Sequence, residues 1–254
     1  MLAKIYSAAV FGVDANEVEI EVNSGGGIDT VIVVVGLPDT AVKEAKDRVT
    51  TSISNSGFFW PSGRTTVNLA PADVKKEGPS FDLPIALGMI ICQEEKTLEN
   101  VGDFCFVGEL ALDGSVRPVR GVLPVAIEAR RRGHLKVVVP EANAREAAMV
   151  DGIEVYGVKN LREAYSILVG KSTMKPVRED LAAFFQSHQN YDVDFSDVRG
   201  QGHVKRAIEI AAAGGHGMLI SIPFTTNRSE GINTSCRRPN CISHAQSARN
   251  LHRD

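Results

Sequence analysis

The chain has 254 residues, 43% of them hydrophobic and 23% charged, with a formal net charge of -3. That is the composition of a soluble globular protein with a sizeable core, in one large domain or two small ones. It excludes a global nucleic-acid footprint, so any DNA contact needs a local basic patch. The four cysteines are too few for a disulfide scaffold; Cys92 and Cys105 sit in apolar contexts and read as buried thiols of a reducing compartment. The amino-terminal stretch carries no long apolar block, and no apolar run is long enough to cross a bilayer. The expected location is therefore the cytoplasm, with no membrane contact.

In chain order, "AKIYSAAVFG" and "VEIEVNSGGG" read as two strands joined by a turn at Asp14-Ala15-Asn16. Glu17, Glu19 and Glu21 alternate with Val18, Ile20 and Val22, the period of a half-buried strand. Gly25 to Gly27 form a loop, weak as a phosphate loop because no helix pattern begins behind it. "TVIVVVGLP" is continuously apolar and suits a central strand. Asp39 or Thr40 caps the next helix, whose apolar stripe is Val42, Ala45, Val49 and Ile53. Phe58-Phe59-Trp60-Pro61 reads as a core anchor rather than a base-stacking platform. "TTVNLAP" is a strand, followed by a charged loop in which Lys75-Lys76 reads as solvated, and then a helix around Pro84.

"FCFVGELALDGSVRPV" reads as a hairpin turning at Asp113-Gly114. Gly121 to Arg132 is an amphipathic helix with Val122, Val125, Ala126 and Ala129 inward. Its end, Arg130-Arg131-Arg132, is either a phosphate-contacting patch or a complement to the helix dipole on a solvated face. "LKVVVP" is a strand, Glu141 to Val150 a short helix, "GIEVYGV" a strand and Leu161 to Leu168 another helix. This is a mixed α/β or α+β domain. A helix with Leu181, Phe184 and Phe185 and a polar stretch follow. "GHVKRAIEIAAAGG" is a helix stopped by glycines, and "GMLISI" a short buried strand.

Past Pro223 the composition turns polar and aperiodic, the pattern of a disordered or unselected tail. There Cys236, Cys241, His244 and His252 spell C-x4-C-x2-H-x7-H. The spacing fits a closed tetrahedral zinc site poorly, and no metal is expected. His203 and His216 are isolated and read as surface or cap residues.

"VNLAPADVKKEGPSFDLPIALG" poses the chemical question. A serine after a tight Gly-Pro turn, at the mouth of a helix, is either a nucleophile or a cap. As a cap, Ser80 or Asp82 would accept a backbone N–H, with Pro84 tolerated in the first turn.

Together with "VVVGLPDTAVKEAKDRV", "FVGELALDGSVRPVRGVLP" and "DFSDVRGQGHVKRAIEIAAAGGH", this segment resembles the magnesium-chelatase-like AAA+ ATPases of the ComM/YifB family. The resemblance covers roughly the first 215 residues, in one collinear run. It implies a Lon-protease-like, ribosomal-protein-S5 domain 2-like module over residues 1–170 and a linker and helix over 171–195. The start of an AAA+ module would occupy 196–222, followed over 223–254 by a tail that reads as disordered or frameshifted. For the family it implies ATP and Mg2+ as cofactors, a hexameric homo-oligomer, and DNA as a partner in branch migration during natural transformation.

In Lon-like proteases the matching serine is paired with a lysine at the start of a downstream helix. Here no lysine lies between Lys96 and Lys136. Arg120 stays protonated, and Leu123, Pro124, Val125 and Ala126 cannot act as bases. The resemblance places Val198, Arg199, Gly200 and Gln201 near the adenine. A phosphate loop GxxxxGK[ST] should follow Gly215, yet no lysine occurs after Lys205. The expectation is a chain inactive as ATPase and as protease, with no bound cofactor. The alternatives are an intact ATP-hydrolysing DNA motor obscured by a frameshift, or a cryptic serine hydrolase using Ser80. Bare apolar surface around Ile208, Ile210 and Leu219 is also expected.

Overall fold

The computed structural model describes residues 2–25, 31–59, 63–94, 98, 100–179 and 195–220. The chain divides into two compact units, Met1–Asn190 and Tyr191–Asp254.

The first unit begins with an antiparallel pair, β1 (Leu2–Phe11) and β2 (Asp14–Ser24), in which Ile5 faces Ile20 and Phe11 faces Asp14. The connecting turn is Gly12-Val13, not Asp14 to Asn16 as the sequence suggested. Gly12 supplies the positive φ, +62°, that a two-residue hairpin turn needs at its first position, and this frees Asp14 to start the strand. The alternation of β2 is as expected. Val18, Ile20 and Val22 are buried, while Glu19 and Glu21 point to the other face and pair with Lys4 at 2.6 and 3.3 Å.

β3 (Val31–Val35) runs parallel to β4 (Arg64–Ala70), and β4 runs antiparallel to β2, giving the order β1-β2-β4-β3. The run expected to be central is thus an edge strand, because β2 occupies the other side of β4. Its apolar character is explained by Ile32 and Val34, which pack on the core. A second, parallel sheet has the order β5 (Phe104–Phe106), β8 (Lys136–Pro140), β9 (Glu154–Val158). The segment read as one hairpin is divided: β5 joins that parallel sheet. Only β6 (Glu109–Leu110) and β7 (Val116–Arg117) form the hairpin, with Gly114 at φ +86° in its loop.

Helix α1 (Thr40–Asn55) buries Val42, Ala45, Val49 and Ile53, the predicted stripe, and Asp39 is its cap. Helix α2 (Asp82–Gln93) is buried from Asp82 to Cys92, packing on the β1–β2 face and against α1. Each large apolar side chain so enclosed contributes about 1.5–3 kcal/mol. Helix α3 (Val122–Arg132) lies over β1 and β2 in a separate apolar cluster and buries Val122, Val125, Ala126 and Ala129, as predicted. Helix α4 (Ala144–Ala147) is shorter than the predicted 141–150, and α5 (Leu161–Leu168) agrees with its prediction. Cys92 and Cys105 are buried free thiols, and burial pushes the Cys105 thiol up to about 12. The architecture is mixed α/β, with parallel and antiparallel strands.

In the second unit a 3-10 turn (Phe195–Asp197) precedes helix α6 (Gly202–Gly214), which ends at Gly215, φ +63°. No residue of α6 is buried. Residues 217–220 form no strand; Leu219 is 93% exposed. A buried strand needs pairing partners, and the described residues of this unit contain none. The expected helix at Leu181, Phe184 and Phe185, the Trp60-Pro61 pair, and the tail with Cys236, Cys241, His244 and His252 lie outside the described residues. No described helix is long and apolar enough to cross a membrane.

Candidate functional site

The Gly78-Pro79-Ser80 turn is fixed from two sides. Asp39 caps α1 through Oδ1, which accepts the Val42 N–H at 2.8 Å, and its Oδ2 accepts the Gly78 N–H at 3.0 Å. The Asp39 N–H donates to the Lys76 carbonyl at 3.1 Å, and the Lys76 N–H to the Leu37 carbonyl at 3.4 Å. One carboxylate thus starts the helix and holds the loop that delivers Ser80. On the far side the Ser80 carbonyl accepts the Gly108 N–H at 2.9 Å, and the Leu83 N–H donates to the Gly108 carbonyl at 3.0 Å. Gly78 sits at φ +82°, a conformation that suits glycine.

The pair Lys75-Lys76 is not solvated as a pair. Lys75 is exposed and lies 2.5 Å from Glu77, but Lys76 is fully buried and donates its Nζ to the Pro71 carbonyl. Burial lowers its pKa, because the charged amine loses water. The chain order alone does not reveal that burial.

Neither Ser80 nor Asp82 is a side-chain cap: no such hydrogen bond forms at the 3-10 turn Pro79–Phe81 or at the start of α2. Asp82 is turned inward instead. Its Oδ2 accepts Arg48 Nε–H at 2.8 Å and the Leu110 N–H at 3.3 Å, and its Oδ1 accepts Arg48 Nη2–H at 3.1 Å. Burial pushes the Asp82 carboxyl up to about 6, with the Arg48 guanidinium pulling the other way. This pair ties α1, α2 and the β6–β7 hairpin together beneath the serine. The sequence carried one usable signal for it: an aspartate inside the apolar run "FDLPIALGMI" demands a partner.

Above Ser80 opens a cleft of about 360 Å³, lined by Glu77, Pro79, Ser80, Glu109, Val119 and Arg120 among others. The Ser80 hydroxyl has no hydrogen-bond partner among the described residues. The lining contains no lysine or histidine. Arg120 cannot take a proton, and Lys76 is committed to Pro71 outside the cleft. The lysine that the resemblance pairs with such a serine is not in the cleft, and no hydrogen bond joins the Ser80 hydroxyl to Glu77 or Glu109.

Val198, Arg199, Gly200 and Gln201 lie in the second unit, all exposed, leading into α6. Gly200 and Gln201 take consecutive left-handed conformations, φ +71° and +57°. Among the described residues, 217–220 form no strand, and the segment beyond them lies outside the described residues. Elsewhere, Arg131 and Arg132 both engage Glu128, at 2.7 and 2.9 Å, so the arginine triplet is partly neutralised. Phe58 packs edge-on to Tyr165 at 5.0 Å, whereas Phe59 is 86% exposed, so of the two described residues the anchor reading holds for Phe58. Gly25 donates its N–H to the Arg64 carbonyl. Both His203 and His216 are exposed. The described residues hold no group of three or more side chains suited to a metal.

Both units match magnesium-chelatase profiles. "Subunit ChlI of Mg-chelatase" matches residues 18–143, which include the Ser80 turn, and "Magnesium chelatase, subunit ChlI" matches 194–229, which include Val198 to Gln201 and run past Gly215. An uncharacterized protein of Mycobacterium tuberculosis is 40% identical over 228 residues, 87% of this chain and 43% of the relative. The competence protein ComM of Haemophilus influenzae is 39% identical over 232 residues, 90% of this chain and 45% of the relative. The uncharacterized protein YifB of Escherichia coli is 38% identical over 229 residues, 90% and 44% respectively. A shorter match, 31% over 105 residues, joins the chain to Lon protease 2 of Bacillus subtilis, covering 41% of this chain and 19% of that protein. The chain belongs to the ComM/YifB-like, magnesium-chelatase-like proteins. It spans less than half the length of the curated relatives it matches.

Proposed function

We propose that residues 1–170 are the Lon-protease-like, S5 domain 2-like module of a ComM/YifB-type AAA+ ATPase, acting in assembly or substrate engagement rather than in catalysis. Residues 171–195 are its linker and 196–222 the start of the motor module. Residues 223–254 are a tail without assigned role. DNA branch migration, ATP with Mg2+, and a hexameric ring are the family's expected attributes, and on this reading they belong to a longer motor protein. The chain itself hydrolyses neither ATP nor peptide bonds.

One observation carries the reading. The turn holding Ser80 is anchored by Asp39, Gly108 and the Arg48–Asp82 pair, yet the cleft above it contains no lysine or histidine, and its two carboxylates, Glu77 and Glu109, each face a cation. A serine protease needs its nucleophile and base in hydrogen-bond reach. A frame that is kept while the lysine is missing is what a binding module requires. For ATP, the support is the absence of any lysine after Lys205. Phosphoryl transfer needs such positioning and charge neutralisation.

The test is labelling of the purified chain with a fluorophosphonate. No labelling that disappears in Ser80→Ala is expected. Labelling lost only in that variant would make the chain a serine hydrolase and sink the proposal.

A further inference from the structure

The cleft over Ser80 has a charge balance that the missing lysine does not explain. Two carboxylates and one guanidinium line it. Each carboxylate already faces a cation: Glu77 lies 2.5 Å from Lys75, and Glu109 lies 3.3 Å from Arg117. Arg120 has no acidic partner among the described residues. The one uncommitted charge in the cleft is therefore positive.

The backbone on both sides of Arg120 is held. The Val119 N–H donates to Asn143 Oδ1 at 3.0 Å, and the Val119 carbonyl accepts Asn143 Nδ2–H at 2.9 Å. Gly121, at φ +77°, packs so closely on Val10 that a Cβ there would meet Val10 Cγ2 at 2.9 Å. The guanidinium thus projects from a fixed point, which lowers the entropy lost when it grips a ligand. Across the cleft the Ser80 hydroxyl is a second donor without a partner, and Pro79, Pro118 and Val119 supply apolar wall.

We propose that this cleft binds the terminal carboxylate of an extended polypeptide. Arg120 takes the carboxylate through its planar fork, Ser80 donates a further hydrogen bond, and the proline and valine wall packs the last side chain. A volume of about 360 Å³ suits one residue rather than a large cofactor. Glu77 and Glu109 disfavour a polyanion, and no aromatic ring lines the cleft to stack a base, so a peptide fits better than a nucleic acid. The proposal rests on the non-catalytic reading of Ser80, since a working hydrolase would cleave or release what it bound.

The experiment is an amide-resolved NMR titration of the full chain. The probes are N-acetyl-glycyl-alanyl-leucine, its carboxamide, and an oligo-thymidine strand. The free acid is expected to shift Ser80 and Arg120 saturably, and the carboxamide is not. Arg120→Gln should weaken acid binding about tenfold or more, and Arg120→Lys should retain part of it. A spectrum of Arg120→Gln unchanged away from the cleft shows that the fold is kept. Equal binding of acid and carboxamide, no saturable shift at Ser80 and Arg120, undiminished binding by Arg120→Gln, or tighter binding of the oligonucleotide at the same amides would each overturn the proposal. Fluorophosphonate labelling tests the non-catalytic reading separately, so the two failures are told apart.

Discussion

Helices α2 and α6 are both apolar, glycine-containing segments, yet they meet opposite fates. Every residue of α2 from Asp82 to Cys92 is buried, whereas α6 buries none. The first has β1, β2, α1 and α5 to pack on. The second, with Ile210 at 53% exposure and Leu219 beyond it at 93%, finds no such partner among the described residues. An apolar pattern states that a face must be covered, and tertiary structure decides whether this chain covers it. The contrast also separates the two candidate sites. The Ser80 turn rides on a fully packed helix and is held in place, while Val198 to Gln201 lead into a helix with no packed face.

The sharpest way to break this comparison is to truncate α2. Leu87 is fully buried, and Leu87→Ala should cost about 2–5 kcal/mol, read as a lower denaturation midpoint. A loss under about 1 kcal/mol would mean that α2 is not the core element described here.

A smaller effect is expected at Asp82, through pH. Its folded-state pKa of about 6 lies above the ordinary carboxylate value, so the folded state takes up a proton first as pH falls. Stability from this group therefore rises as pH drops from neutral toward the unfolded-state pKa and is lost as pH rises through about 6. Between pH ~7 and ~5 the wild type should gain about 1 kcal/mol relative to Asp82→Asn. Urea unfolding of both proteins at the two pH values measures it, and parallel curves would refute the assignment.

The smallest effect is expected at Ile210. Ile210→Ala should change stability by less than about 0.5 kcal/mol, because the side chain is already in water. A cost like that of Leu87→Ala would show that α6 is covered in solution and erase the contrast.

Much of this was legible in the sequence. Local period and cap chemistry predicted the α1 stripe of Val42, Ala45, Val49 and Ile53 with its Asp39 cap, and the inward face of α3. That no lysine lies between Lys96 and Lys136 or after Lys205 is likewise read directly from the sequence. The sequence did not reveal which neighbours meet. β3 is an edge because β2 had already taken β4's other side. Lys76 is buried with its amine on the Pro71 carbonyl. Asp82 is not a cap because Arg48, from another helix, offers it a bidentate partner in a dry place. Arg120 gained its meaning in the same way, as the uncommitted cation in a cleft built from three separated segments. Short-range patterns determine which elements form. Desolvation and pairing between distant residues decide what each charged side chain does, and those are settled only when the chain closes on itself.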